Sequence, residues 1–284
     1  RSGTTHLVNL LAATGRFAVP TPVDVGLPAE RLSIGRPLEP LLARLVPAGR
    51  WIDAVGVDRL APQEDEVALA NLGAPSFFEP YYLPHGFRRR WREVVFLDAA
   101  GTARWLDRAA RYYARLAYEH PGKPLVIKNP VYTARLAALS ARFPEARFVH
   151  CVRDPFEVYA STMRFHVKLG EALGLTRARP EEVEATVLET YAEMMRRFER
   201  DRATLAPERV VDVRYEELRD RPLATLQRLY DALGLAGFDV DRPAIAAHLE
   251  RVAGYRAGRY TLDAETRGRI ERAWGPWLER WRTA

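Results

Sequence analysis

Three short apolar runs, each trailed by a segment of helical spacing, restrict this chain to few folds. They are Pro124-Leu125-Val126-Ile127-Lys128, Ala146-Arg147-Phe148-Val149-His150-Cys151-Val152 and Arg209-Val210-Val211-Asp212-Val213-Arg214. Runs this short, bounded by Gly, Pro or charge, read as buried strands. Helical periodicity covers 132–143, the stretch opened by Pro155, 181–202 and 222–233, and then 243–252 and 264–282. Earlier in the chain, 102–119 reads as a strong amphipathic helix, 38–46 has helical spacing, and 62–72 reads as a short helix with an acidic first turn. Strands alternating with helices build a parallel sheet with helices on its faces. Chemistry in such sheets collects at the carboxyl ends of the strands. The expected fold class is α/β, a P-loop-like parallel sheet flanked by helices.

Composition narrows the function. At 284 residues, with 48% hydrophobic and 28% charged residues, the chain can bury a full core. No run approaches the roughly 18 apolar residues of a membrane-spanning helix. The only cysteine, Cys151, excludes a disulfide scaffold and a cysteine-based metal site, and a cytoplasmic, reducing setting is expected. The net charge is +6, yet basic residues are spread without a block, so no nucleic-acid partner is expected. Lysine occurs only at 123, 128 and 168 among 43 basic residues, which makes Lys128 at a strand end conspicuous.

Two places look built for anions. The chain opens on Arg1-Ser2-Gly3-Thr4-Thr5, directly followed by an apolar helical pattern. Gly3 permits close backbone approach, Thr4 and Thr5 offer hydroxyls, and a helix N-terminus presents unpaired N–H groups. Arg1 adds a bidentate cation. A strand is expected ahead of this turn, so the first strand reads as missing from the chain. The Walker A spacing is absent, and an ordinary Ser-Gly turn capping a helix is the plainer reading of these five residues. The second place is Arg153-Asp154-Pro155 after a strand, with Ser161 two helical turns on. Arg153 and Ser161 can converge on one phosphate, or Arg153 can simply pair with Asp154.

Taken together these motifs resemble the sulfotransferases that use 3′-phosphoadenosine 5′-phosphosulfate (PAPS), in a bacterial branch similar to the tyrosylprotein-type enzymes. Lys128-Asn129-Pro130, Val213-Arg214-Tyr215-Glu216-Glu217-Leu218 and Pro62-Gln63-Glu64-Asp65-Glu66 add to the likeness, in order along nearly the whole chain. The resemblance implies a sulfotransferase fold in a single domain over 1–284, with 16–100 as an acceptor-site insertion or lid. It implies an enzyme moving a sulfuryl group from PAPS to a hydroxyl or amine by metal-independent in-line transfer, leaving 3′-phosphoadenosine 5′-phosphate (PAP). Ser2, Gly3, Thr4 and Thr5 would cradle the 5′-phosphosulfate with Arg1, and Arg153 and Ser161 would hold the 3′-phosphate. Lys128 would face the sulfonate and bridging oxygen. Expected partners are a small-molecule or lipid-like acceptor and a second copy of the chain.

The general base is open among Asp24, Glu66 and His6, because each also has a bland reading: a loop carboxylate, a first-turn carboxylate on the helix dipole and a core imidazole. His85 is a weaker candidate. The His expected after Lys-x-Pro is replaced by Tyr132. Tyr215 could face the adenine or pack the sheet edge. Arg256 and Arg259 could reach the cofactor or be solvated. The aromatic stretch 74–96, with Phe77, Phe78, Tyr81, Tyr82, Phe87 and Trp91, reads as irregular and as a pocket wall, or else as a second small core. Arg88-Arg89-Arg90 could draw an anionic acceptor or form a solvated face. Two other functions stay in play: an ATP- and Mg-dependent kinase on a P-loop scaffold, and a nucleotide-binding module without catalysis.

Overall fold

The computed structural model describes residues 2–35, 37, 41, 61–254 and 260–283. Helix α1 (Thr4–Ala13) starts directly after Gly3, whose φ of +88° turns the chain into it. Helix α2 (Pro22–Gly26) is opened by a capping box in which Thr21 Oγ1 accepts from the Asp24 N–H and Asp24 accepts from the Thr21 N–H. Helices α3 (Glu66–Asn71), α4 (Glu79–Tyr82), α5 (Phe87–Val95) and α6 (Ala99–Glu119) follow. Asp98 caps α6 by accepting from the Gly101 N–H at 2.6 Å. A 3₁₀ turn (Pro130–Ala134) leads to α7 (Leu136–Arg142). Then come strand β1 (Phe148–Val152), α8 (Pro155–Leu173), α9 (Pro180–Arg202) and strand β2 (Val210–Arg214). Helices α10 (Tyr215–Asp220), α11 (Pro222–Ala232), α12 (Phe238–Val252) and α13 (Ala264–Thr283) close the described chain.

The chain forms two compact units, one of 1–10, 130–167 and 178–284, the other of 11–129 and 168–177. In the first unit β1 and β2 pair in parallel, from Phe148 opposite Val210 to Val152 opposite Arg214. Phe156 and Tyr159 of α8, Val187 and Ala192 of α9, and Ile270, Trp274, Trp277 and Leu278 of α13 form its core. The Trp274 indole is fully buried and donates to the Leu188 carbonyl at 2.9 Å, so burial leaves its N–H satisfied. In the second unit Asn71 at the end of α3 donates to the Val25 carbonyl of α2 at 2.9 Å, fixing the two short helices together.

Several sequence expectations change here. The run 124–128 is no regular strand: Leu125 makes one isolated parallel bridge to Ala18, with Ala18 N–H on the Pro124 carbonyl and Val126 N–H on the Ala18 carbonyl. The partner segment is pinched between Gly15, at φ +68°, and Pro20, and Pro124 brings no N–H, so the ladder cannot extend. The expected helix 62–72 begins only at Glu66, leaving Glu64 and Asp65 ahead of it. The stretch 74–95 is not irregular, since it holds α4 and α5. Phe77, Tyr81, Phe87 and Trp91 are buried, with ring centroids 5.3–5.9 Å apart among Tyr81, Phe87, Trp91 and Phe77. These four rings pack together as a buried cluster within the second unit. The expected helix at 38–46 falls almost wholly outside the described residues. Among the described residues no helix is long and apolar enough to cross a membrane.

Candidate active site

In the first unit, the register of the sheet decides what meets at its carboxyl end. Because Val152 pairs with Arg214, the next residues, Arg153 and Tyr215, emerge side by side. The Arg153 guanidinium lies 4.5 Å from the centroid of the Tyr215 ring, within cation–π range, and its Nη2 pairs with Glu157 Oε2 at 3.2 Å. The other edge of that ring rests on Gly3. A Cβ built on Gly3 would stand 2.3 Å from Tyr215 Cδ2, so only glycine fits. The Gly3 carbonyl accepts from the N–H groups of His6 and Leu7, at 2.9 and 3.2 Å, and so starts the hydrogen-bonding of α1. Asp154 accepts from the Phe156 N–H at 2.9 Å and sets the start of α8, which carries Ser161 two turns on in a buried position. Positions 3, 153 and 215 thus share one corner: a helix N-terminus, a fixed guanidinium and an aromatic face. That combination can hold an anion next to a flat ring.

In the second unit, a polar cluster surrounds Lys128. Its Nζ lies 2.9 Å from Glu64 Oε1, and the lysine side chain is 5% exposed against 33% for the glutamate. Asn129 donates from Nδ2 to Asp65 Oδ1 at 3.0 Å and to Glu66 Oε2 at 2.8 Å. Asp65 also accepts from the Tyr113 hydroxyl at 2.6 Å. Glu66 Oε1 accepts from Ser76 Oγ at 2.7 Å and from the Phe77 N–H at 3.0 Å. A second knot ties Arg31 Nε to Asp24 Oδ1 at 2.7 Å and to Glu119 Oε2 at 3.1 Å. Among the described residues no group of three or more His, Cys, Asp or Glu side chains is placed to hold a metal ion.

The sequence pattern described as the Sulfotransferase family matches residues 1–239 of this chain. The chain belongs to the sulfotransferase family. It is 31% identical over 287 aligned residues to the omega-hydroxy-beta-dihydromenaquinone-9 sulfotransferase Stf3 of Mycobacterium tuberculosis and equally to that of Mycobacterium bovis, covering 99% of this chain and 72% of each relative. Its fold is that of sulfotransferase STF9 from Mycobacterium avium, with a TM-score of 0.76 at 20% identity over 99% of this chain and 74% of the other. Sulfotransferase STF1 from Mycobacterium tuberculosis gives a TM-score of 0.65 at 20% identity, covering 90% of this chain and 74% of that one. The sulfotransferase fold is therefore built here on a small parallel sheet among many helices. The protein is an enzyme of sulfuryl transfer and takes a sulfonate donor, which sets the kinase and the non-catalytic module aside.

Within this sulfotransferase the sequence candidates fall into distinct surroundings. Ser2 and Gly3 precede α1, and Thr4 and Thr5 form its first turn. Arg1 lies outside the described residues, as do Arg256 and Arg259. His6 is half-buried, and burial together with the neighbouring His248 lowers its pKa from the ordinary histidine value. Asp24 is buried, with Oδ1 on Arg31 and Oδ2 on Thr21. Glu66 is buried and accepts three hydrogen bonds. Lys128 does not reach out to solvent from a strand end but is buried against Glu64. Sequence reasoning passed over Asn129 and Tyr113, which join separated segments. The clue available was Asn129 itself, a polar residue between Lys128 and Pro130 in an apolar run.

Removing that asparagine is expected to be costly. Asn129→Ala deletes two charge-assisted hydrogen bonds from buried carboxylates, each worth about 1.5–3 kcal/mol. A loss of roughly 3 kcal/mol is expected in denaturant unfolding. A loss below about 1 kcal/mol would mean that water replaces the amide without cost.

Proposed function

We propose that this enzyme draws its sulfuryl group from PAPS and delivers it to a hydroxyl of a lipid-like acceptor. The observation that carries the reading is the corner made by Gly3, Arg153 and Tyr215. Its fit to a nucleotide with two anionic ends rests on a backbone too closely approached for any Cβ at position 3, beside a fixed cation stacked on an aromatic face. When bound, PAPS supplies a sulfonate carried on a phosphate leaving group. The first N–H groups of α1, with the hydroxyls of Thr4 and Thr5, donate to the 5′-phosphate oxygens, joined by Ser2 and Arg1. Arg153 and Ser161 hold the 3′-phosphate, and Tyr215 keeps the guanidinium in plane. Lys128 Nζ stabilises negative charge developing on the bridging oxygen, the moment when a preorganised cation contributes most.

Among the three base candidates we assign the proton to His6. Asp24 has both carboxylate oxygens engaged, Oδ1 by Arg31 and Oδ2 by Thr21. Glu66 spends its lone pairs on Ser76, Phe77 and Asn129 and acts as a positioning residue for the Lys128-Asn129 segment. His6, its pKa lowered by burial, is neutral near pH 7 and can accept the hydroxyl proton. The acceptor class follows the Stf3 relatives, whose names specify an omega-hydroxylated dihydromenaquinone. We assign the acceptor side to 16–100, whose described residues lie in the second unit. A cytoplasmic setting fits a chain with a single cysteine, Cys151, and so no disulfide within it.

Thermal unfolding with PAP, adenosine 5′-monophosphate and ATP with Mg²⁺ tests the donor. At about 100 times its dissociation constant, PAP is expected to stabilise the protein by roughly 2.7 kcal/mol. Arg153→Ala is expected to weaken PAP about 10- to 100-fold while leaving adenosine 5′-monophosphate nearly unchanged, because only PAP carries the 3′-phosphate. Equal weakening of both nucleotides would remove the 3′-phosphate assignment, and stabilisation by ATP but not PAP would remove the donor.

A further inference from the structure

We infer that one face of the second unit docks onto an anionic lipid bilayer surface. Helix α5 buries Phe87, Trp91 and Val95 and turns Arg88, Arg89 and Arg92 outward, four arginines against one glutamate along its length. Just ahead of it, Tyr82 and Leu83 are 49% and 57% exposed, although their neighbour Tyr81 is buried. A second segment of the same unit comes alongside. The Leu175 N–H donates to the Tyr82 carbonyl at 3.4 Å, and Gly174 runs so close that a Cβ there would stand 3.2 Å from the Tyr81 carbonyl. Leu175 is 79% exposed. Three large apolar side chains are therefore displayed on adjoining backbone.

The rim of this patch is basic. The Arg90 guanidinium is anchored on the Leu83 carbonyl, and Arg177 is exposed beside Leu175. The acidic groups facing these cations are Glu93, paired with Arg89 at 2.8 Å, and Glu171, 3.8 Å from Arg177. Arg88, Arg90, Arg92 and Lys168 add to the positive side, and Glu79 to the negative, so the balance stays basic. Apolar side chains ringed by arginines complement an anionic interface, where the chains enter the acyl boundary and the guanidinium groups meet phosphate. Such peripheral contact needs no spanning helix. It is independent of the donor assignment and would bring the enzyme to a lipid-like acceptor.

Co-sedimentation with vesicles tests this. The full chain is expected to pellet with equal parts of phosphatidylcholine and phosphatidylglycerol, far less with phosphatidylcholine alone, and to be released by high salt. The L83S/L175S double variant is expected to lose about tenfold or more in partitioning, and R88Q/R89Q a comparable factor on the anionic vesicles only. Both variants should keep wild-type stabilisation by PAP, which separates failure of this surface from failure of the donor site or of folding. Absence of wild-type binding to anionic vesicles overturns the inference, as does equal binding by L83S/L175S. A concentration-dependent dimer in vesicle-free buffer that L83S/L175S converts to monomer also overturns it, because the patch then covers a second copy of the chain.

Discussion

Lys128→Ala is expected to lower kcat by about 10²- to 10³-fold while PAP affinity changes by no more than about threefold. The argument rests on where the cation is held. Nζ sits 2.9 Å from Glu64 Oε1 in a side chain 5% exposed, so its position is set before any substrate arrives and no large reorganisation is needed as charge develops. Glu64 is one-third exposed, so water can solvate its carboxylate once the lysine is gone, and the variant should fold. Glu64→Gln serves as the companion variant. It keeps the side-chain shape, removes the counter-charge, and should alter kcat far less than Lys128→Ala. Steady-state kinetics alongside calorimetric PAP titration decide the matter. A rise in the PAP dissociation constant matching the fall in kcat would make Lys128 a ground-state binder and end its transition-state role.

Gly3→Ala is expected to raise the PAP dissociation constant by at least about a hundredfold. Two costs coincide at this position. The φ of +88° is one that an L side chain adopts only with strain, about 1–2 kcal/mol. The new methyl would also sit 2.3 Å from Tyr215 Cδ2 and 3.0 Å from Cε2, so the ring must leave. That ring supports the Arg153 guanidinium at 4.5 Å, so one added carbon disturbs both anion-holding groups at once. The double variant Gly3→Ala/Tyr215→Ala removes the clash and keeps the backbone strain. Partial recovery of PAP binding in the double variant is expected, as a coupling between the two positions. Wild-type PAP binding by Gly3→Ala would show that this corner does not hold the nucleotide.

The helices of the first unit were largely legible along the chain. Pro155, Pro180 and Pro222 stand at or next to helix starts, and Gly234, at φ +58°, follows the end of α11. These are local signals, carried by backbone freedom and by apolar spacing. The run at 124–128 misled because apolar content marks burial without guaranteeing a ladder partner. The aromatic stretch after residue 74 misled in the opposite way. Its two short helices are held by ring packing among Phe77, Tyr81, Phe87 and Trp91, which spacing alone does not reveal.

Candidate residues divide along the same line. Gly3, Arg153, Ser161 and Tyr215 each stood out by type and by place after a strand or before a helix, since the chemistry of anion binding is written in local order. The meeting of Gly3, Arg153 and Tyr215 depends on the pairing of Val152 with Arg214, residues 62 positions apart that come together only when the strands pack. The acidic segment Glu64-Asp65-Glu66 was legible as an acidic helix start, as part of the family likeness and, at Glu66, as a candidate base, but not by its partners. Its partners, Lys128 for the first and Asn129 for the other two, lie some 60 residues away and are chosen by burial, which forces each charge and amide to find a mate. Sequence by itself therefore determined which groups and which helix starts this protein has. Tertiary structure decided which carboxylates are bound up, which cation is fixed and which apolar side chains stay outside, because desolvation and register act only once distant segments share one interior.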